Sequence, residues 1–317
     1  MIPEERARET IDELLRYTGW DVQNREAMNL FDRSRPGVAV REAYLKTGFA
    51  DYLLFVDGKA LGVIEAKKEG TPLAGVEAQS ARYSVGLPPR MQAWRPDDPL
   101  PFLYESTGIE TYFTNRLDPL PRSRPVFAFH RPETLREWVQ ESSTFRGRLA
   151  QMPPLDAEGL WDPQATAIAN LEDSLARNRP RALIQMATGS GKTFTAVNFI
   201  YRLIKHGGAK RVLFLVDRTN LGLQAETEFR QFQMPEGRKF AELYNIRHLT
   251  NNAIDVRRDV SRVYISTVQR LYAMLKDEEL DEESESVSMY ELYEHVGALR
   301  EAPLQCDPPR QTTHHRP

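Results

Sequence analysis

The run Ala187-Thr188-Gly189-Ser190-Gly191-Lys192-Thr193 constrains this chain more than any other stretch. An apolar run at 182–186 precedes it, and an apolar-periodic segment over about 192–205 follows it. That order predicts a buried strand, a glycine-rich turn and a helix, the context of a phosphate-binding loop. The glycines let backbone N–H groups turn inward around phosphate oxygens, helped by the helix N-terminus behind them. Lys192 is expected to reach the β- and γ-phosphates of a nucleotide, and Thr193 to ligate Mg²⁺. Thr188, Gly189, Ser190 and Gly191 complete the expected cradle. Met186 stands where G-x-x-x-x-G-K-[ST] has its first glycine.

Around this loop the pattern is strand, helix, strand, which implies a parallel sheet with crossover helices. A helix is predicted at about 163–177, carrying Gln164 in the segment DPQATAI. Further strands are predicted at 211–216 and 262–266, after the helix stop Gly207-Gly208. Just past each strand come polar residues: Asp217, Arg218 and Gln224 in one, Ser266, Thr267 and Gln269 in the other. Such positions, beyond the carboxyl ends of strands, are where α/β sheets build sites.

The region before Pro153-Pro154 reads differently. Residues 4–17 form an amphipathic pattern with Ile11, Leu14, Leu15 and Ala7 on one face, Pro3 at its start and Gly19 at its end. Two apolar runs, DYLLFV and ALGVIEAK, flank Asp57-Gly58-Lys59, a strong hairpin signal. Residues 88–125 are rich in proline and aromatics, with a short strand predicted at 112–114.

The hairpin carries the second constellation. Glu65 and Lys67 are two apart in a strand and so share a face. A tight turn brings Asp51 opposite or diagonal to Glu65. Two carboxylates suit a hard cation such as Mg²⁺, and an ammonium beside them can stabilise phosphate charge. Glu65 follows three largely apolar residues, a costly place for a carboxylate without a partner. Gln79 and Tyr83 follow as Q-x-x-x-Y, one helical turn apart. Lys68 alternates away from the site, which favours Lys67.

Composition narrows the function classes. The 317 residues suit about two domains. A net charge of −3 excludes a uniformly basic nucleic-acid binder, though not a local basic groove. One cysteine, Cys306, and six scattered histidines exclude a disulfide framework and a cysteine-rich zinc site. The amino terminus lacks the apolar core of a signal peptide, and no apolar run approaches membrane-spanning length, so a cytoplasmic location and no membrane partner are expected. Residues 277–285 place seven acidic side chains in nine positions and read as a solvated loop. The last stretch, EAPLQCDPPRQTTHHRP, has no periodicity.

Taken together, these residues resemble the R (restriction) subunit of type I restriction enzymes, over about residues 3–275. The resemblance implies an N-terminal PD-(D/E)xK nuclease followed by a superfamily 2 DNA-translocating motor. Asp51, Glu65 and Lys67 match the nuclease motif, Gln79 and Tyr83 its Q-x-x-x-Y helix, and MATGSGKT the first motor motif. Gln164 matches the adenine-reading position, and LVDRTNLGLQ and ISTVQRL the next motor motifs, which grip the DNA backbone. An opening helix with Glu4, Arg8 and Asp12 is also typical, and Glu4 or Glu5 is a further candidate metal carboxylate. The implied fold is α/β: a mixed-sheet nuclease domain over 1–152, an incomplete RecA-like parallel lobe over 153–300, and a disordered tail over 301–317. The implied function is Mg²⁺-dependent cleavage of unmodified double-stranded DNA, with ATP bound and methylation and specificity subunits as partners. An apolar strand ending in Asp-Glu is not found after the loop, so a truncated chain without translocation is expected. The alternatives are an inactive fragment that binds DNA or partner subunits, and a solitary helicase–nuclease of DNA repair.

Overall fold

The computed structural model describes residues 3–31, 36–46, 48–73, 86–89, 91–251, 259–280, 285, 286 and 288. Gln79 and Tyr83, the side chains of Glu4 and Glu5, and the 301–317 tail lie outside the described residues. The chain divides into two compact units, residues 1–185 with 206–208, and residues 186–205 with 209–317.

The first unit opens with α1 (Pro3–Tyr17). Its stripe of Ala7, Ile11 and Leu15 is buried, as the periodicity predicts, and Gly19 ends the segment with φ +93°. A seven-stranded mixed sheet follows, in the order β1 (Asp21–Asn24), β2 (Gly37–Leu45), β3 (Gly48–Val56), β4 (Lys59–Ala66), β5 (Phe102–Ser106), β6 (Thr111–Asn115) and β7 (Arg124–Val126). β1 pairs with β2 and β4 with β5 in parallel, and the other neighbours are antiparallel. The β3–β4 hairpin closes through Asp57 and Gly58, both at positive φ, the two-residue turn whose twist matches the strands.

Both faces of this sheet are buried. Against one lie Ile11 and Leu15 of α1 with Tyr52, Ile64, Phe102 and Phe113, joined by Leu135 and Val139 of α2 (Pro132–Gln140). The other face packs Val38, Val40, Leu53, Phe55, Val63 and Leu103 together with Leu100. Coverage on both sides explains why β3 reads as a near-continuous apolar run instead of an alternating one. α3 (Phe145–Ala150) is capped by Thr144, whose hydroxyl accepts from Gly147 N at 3.1 Å. α4 (Asp162–Ala176) then carries Gln164.

The second unit holds α5 (Lys192–Lys205), β8 (Val212–Val216), α6 (Thr219–Gln231), α7 (Phe240–Leu243), β9 (Ile246–His248), β10 (Val263–Thr267) and α8 (Val268–Lys276). Its three strands form a parallel sheet in the order β8-β10-β9. Val197, Ile200 and Ile204 of α5 and Ala225 and Phe229 of α6 share one core with Val263 and Ile265. The fold is thus mixed α/β, with an all-parallel sheet in the second unit and two parallel pairs, β1–β2 and β4–β5, in the first.

One expected strand is corrected. Residues 182–186 are in no strand, and Leu183 is 94% exposed. Apolar composition does not make a strand without a neighbour to take its backbone hydrogen bonds. The acidic run is corrected in part as well. Glu285 is buried against Arg270 and Thr267, so at least that member is not a solvated side chain.

Candidate functional site

The β3–β4 register fixes the geometry of the first site. Tyr52 pairs with Ile64, so the next residues along each strand, Asp51 and Glu65, stand opposite each other. Lys67 Nζ lies 3.0 Å from Glu65 Oε1, as expected for residues two apart at a strand end. The side chains of Asp51, Glu65 and Lys67 are between 13% and 21% exposed, a half-buried environment in which charges interact strongly but remain reachable. The structure therefore brings these three sequence-derived residues to one end of the hairpin.

α1 is fastened over this end by charge. Arg8 donates from Nη2 to Asp51 Oδ1 at 2.5 Å and from Nη1 to Glu42 Oε1 at 3.2 Å. The other Asp51 oxygen, Oδ2, accepts from the Ala66 backbone N–H at 2.8 Å. One turn further along α1, Asp12 takes both ends of the Arg41 guanidinium, and the Tyr52 hydroxyl donates to Asp12 Oδ1 at 3.0 Å. Burial, then the Asp12 charge, holds the Tyr52 phenol well above its usual range. The hydrogen bond to Asp12 likewise raises Arg41. Burial works against the charge of Arg8, yet Asp51 and then Glu42 outweigh it and hold Arg8 above the ordinary arginine value.

Asp51 and Glu65 supply carboxylate oxygens, the donor chemistry a small hard divalent cation takes, so the residues present fit such an ion. Among the described residues no group of three or more histidine, cysteine, aspartate or glutamate side chains is gathered as a ligand set.

One neighbour escaped the sequence reading. Glu105 on β5 is the register partner of Glu65 across the parallel β4–β5 pair, and it is 5% exposed. Register partners in adjacent strands present their side chains to the same face. The signal was present, since FLYES, like GVIEAK, sets a carboxylate directly after an apolar run. A second unforeseen feature is Glu42, flanked by the Arg41–Tyr52 and Ala43–Ala50 pairs and thus opposite Asp51. Its φ of +50° is uncommon for a non-glycine residue inside a strand.

The glycine-rich loop forms the second site. Gly189 and Gly191 take φ +80° and +77°, the left-handed values that turn successive amides in one direction. Ser190 folds the loop on itself, its hydroxyl donating to Ala187 O at 2.7 Å. α5 then begins at Lys192, so Lys192 and Thr193 occupy the first helical turn. Gln164 is 5% exposed and at N3 of α4, where its Oε1 accepts from Trp161 N at 3.0 Å.

The two downstream segments meet within the second unit. Gln269 Nε2 donates to Asp217 O at 3.1 Å, linking the ends of β10 and β8. Thr267 caps α8, its hydroxyl accepting from Arg270 N at 3.1 Å. Ser266 and Thr267 are fully buried, whereas Gln224 is exposed and Arg218 half-buried.

Residues 159–290 match the family model described as type III restriction enzyme, res subunit. Residues 33–109 match the model for the second domain of the type I restriction enzyme EcoKI endonuclease subunit. The EcoKI endonuclease subunit of Escherichia coli K12 is 28% identical over 318 aligned residues, covering 85% of this chain and 27% of that protein. The EcoAI endonuclease subunit of Escherichia coli is 28% identical over 178 residues, covering 51% of this chain and 22% of that protein. A solved fragment of an HsdR subunit of a type I restriction enzyme from Vibrio vulnificus YJ016 aligns over 86% of this chain and 48% of its own, at 19% identity and a TM-score of 0.32. The chain is therefore similar to type I restriction endonuclease subunits, and it spans about a quarter of the length of the curated relatives it matches.

Proposed function

We propose that the chain carries the nuclease centre and the nucleotide-binding loop of a type I restriction endonuclease subunit. The observation that carries this reading is the convergence of Asp51, Glu65 and Lys67 at one end of the β3–β4 hairpin. In this reading the centre is of the PD-(D/E)xK kind and cuts unmodified double-stranded DNA. Asp51 and Glu65 hold Mg²⁺, which supplies charge stabilisation at the scissile phosphate when bound. Lys67, kept near Glu65, orients the attacking water and offsets charge on the phosphate. Gln79 and Tyr83 position the DNA or the site. The loop at 187–193 binds ATP, with Lys192 on its phosphates, Thr193 toward Mg²⁺ and Gln164 toward the adenine. Methylation and specificity subunits are the proposed partners. Among the described residues no helix is long and apolar enough to cross a membrane, and a cytoplasmic location is proposed.

The test is nicking of supercoiled plasmid by the purified chain with Mg²⁺. Cleavage is expected, and Asp51→Ala and Lys67→Ala each abolish it. Cleavage unchanged in both variants would sink the assignment. One observation favours the competing reading, a module that binds DNA or partner subunits without turnover: both Asp51 oxygens are already engaged, by Arg8 and by the Ala66 amide. Retained DNA binding with no cleavage at any Mg²⁺ concentration would select it.

A further inference from the structure

We infer that Arg8 is a positioning residue that occupies Asp51 in place of the divalent cation, so that metal binding requires its withdrawal toward Glu42. The inference rests on the nuclease reading of Asp51 and Glu65. Asp51 has two oxygens, and both are used: Oδ1 by the Arg8 guanidinium at 2.5 Å, Oδ2 by the Ala66 amide at 2.8 Å. A divalent ion approaching Oδ1 meets a positive charge already there, in a half-buried setting where like charges are poorly screened. Arg8 cannot shed its charge to make room, because an arginine keeps its proton at any ordinary pH. It has to move.

The structure provides the place to which it moves. Arg8 already reaches Glu42 through its other terminal nitrogen, at 3.2 Å, and Glu42 lies opposite Asp51 across the β2–β3 pair. The left-handed backbone at Glu42, φ +50°, breaks the strand alternation at that residue. Glu42 is also two-thirds exposed, so a cation leaving Asp51 for Glu42 moves toward solvent. The present seat is meanwhile imperfect. Arg8 Nε is buried and has no hydrogen-bond partner among the described residues, a cost that a shift toward solvent relieves. Arg8 therefore holds the Asp51 carboxylate in one orientation before metal arrives, and it sets how strongly metal binds. Asp12, by contrast, is fixed through Arg41 and Tyr52, and that clamp keeps α1 in place while Arg8 moves.

The test is Mn²⁺ titration of the full chain by calorimetry, with melting curves in EDTA and in excess Mn²⁺. Arg8→Gln is expected to bind Mn²⁺ at least about tenfold more tightly than the parent chain, the order expected when a cation at a half-buried carboxylate is removed. Its melting temperature falls in EDTA and recovers with Mn²⁺. Glu42→Gln, which removes the second acid, is expected to weaken Mn²⁺ binding. An Arg8→Gln chain that binds Mn²⁺ equally or less well, while Asp51→Asn abolishes binding, would overturn the role of Arg8 and leave the metal site standing. Mn²⁺ binding unaffected by Asp51→Asn, or none in any variant, would instead overturn the site on which the inference rests. A purely structural Arg8 would lower the EDTA melting temperature without raising metal affinity.

Discussion

Arg270 and Glu285 form an ion pair in which neither side chain is more than 7% exposed, with Arg270 Nη2 donating to Glu285 Oε2 at 2.6 Å. The Glu285 carboxylate also accepts from the Thr267 hydroxyl at 2.8 Å, and the Glu285 carbonyl from the Thr219 hydroxyl at 3.2 Å. The acidic stretch thus returns to the two segments that follow β8 and β10. Removing one partner of a buried pair leaves an uncompensated charge, at a cost of roughly 3–5 kcal/mol. Glu285→Ala is expected to lower the urea midpoint of the second unit accordingly, and Glu285→Gln by less. A Glu285→Ala chain that unfolds with the parent would show that the pair is not formed in solution.

Much of this arrangement was readable before the structure, and the unread part has a common cause. α1, the Asp57-Gly58 turn, α5 and β10 follow from local rules: a periodic stripe, a turn needing two positive φ values, a helix behind a glycine-rich loop. The Asp51–Glu65–Lys67 cluster was readable for the same reason, since one tight turn dictates its register. Arg8 on Asp51, Glu105 beside Glu65 and Glu285 on Arg270 are not local. They join residues brought together by helix docking or sheet order, which no spacing encodes. The failed strand at 182–186 is the converse case, because a strand is a property of a pair and its neighbour is set by tertiary structure.

The glycine-rich loop gives a prediction that separates backbone from charge. A Cβ at Gly189 would meet nothing within 4 Å, so only its φ of +80° resists substitution. Gly189→Ala is expected to cost about 1 kcal/mol in stability and to weaken ATP binding by disturbing the turned amides. On the proposed nucleotide-binding reading, Lys192→Ala leaves the backbone intact and removes a charge-assisted contact worth about 1.5–3 kcal/mol, an expected loss of at least about tenfold in affinity. Binding of a fluorescent ATP analogue measures both. Equal affinity in the parent and Lys192→Ala would remove Lys192 from the phosphate site.

Gly62 tests the sheet that sets the register of Asp51 and Glu65. A Cβ there would fall 2.7 Å from the Phe102 carbonyl oxygen and 3.2 Å from its Cβ. Backbone cannot swing aside as a side-chain tip can, so β4 and β5 must part at the pair that leads to Glu65 and Glu105. Gly62→Ala is expected to destabilise the first unit by about 1–3 kcal/mol. It should reduce plasmid nicking while leaving binding of the ATP analogue unchanged. Unaltered melting and nicking would mean that the β4–β5 spacing is looser than the contact implies.

His130 gives the chain a pH-dependent stability of definite sign. Its half-buried ring packs against Phe113 and Trp138, and Nδ1 lies 2.6 Å from the Tyr104 hydroxyl. Burial, with the nearby Arg124 charge adding to it, lowers its pKa from 6.5 to about 4. The native state therefore keeps His130 neutral where an unfolded chain has protonated it. Above pH 6.5 neither state binds the proton and the native state bears no penalty. As pH falls from 6.5 toward 4 the unfolded state takes up the proton alone, and stability is lost across that window. Below about pH 4 both states are protonated and the loss levels off, at about 3 kcal/mol for a shift of this size. His130→Gln, which cannot titrate, is expected to flatten that part of the profile, whatever it costs at neutral pH. Melting of both chains between pH 4 and 7 reads the difference directly, and parallel profiles would place the titrating group elsewhere.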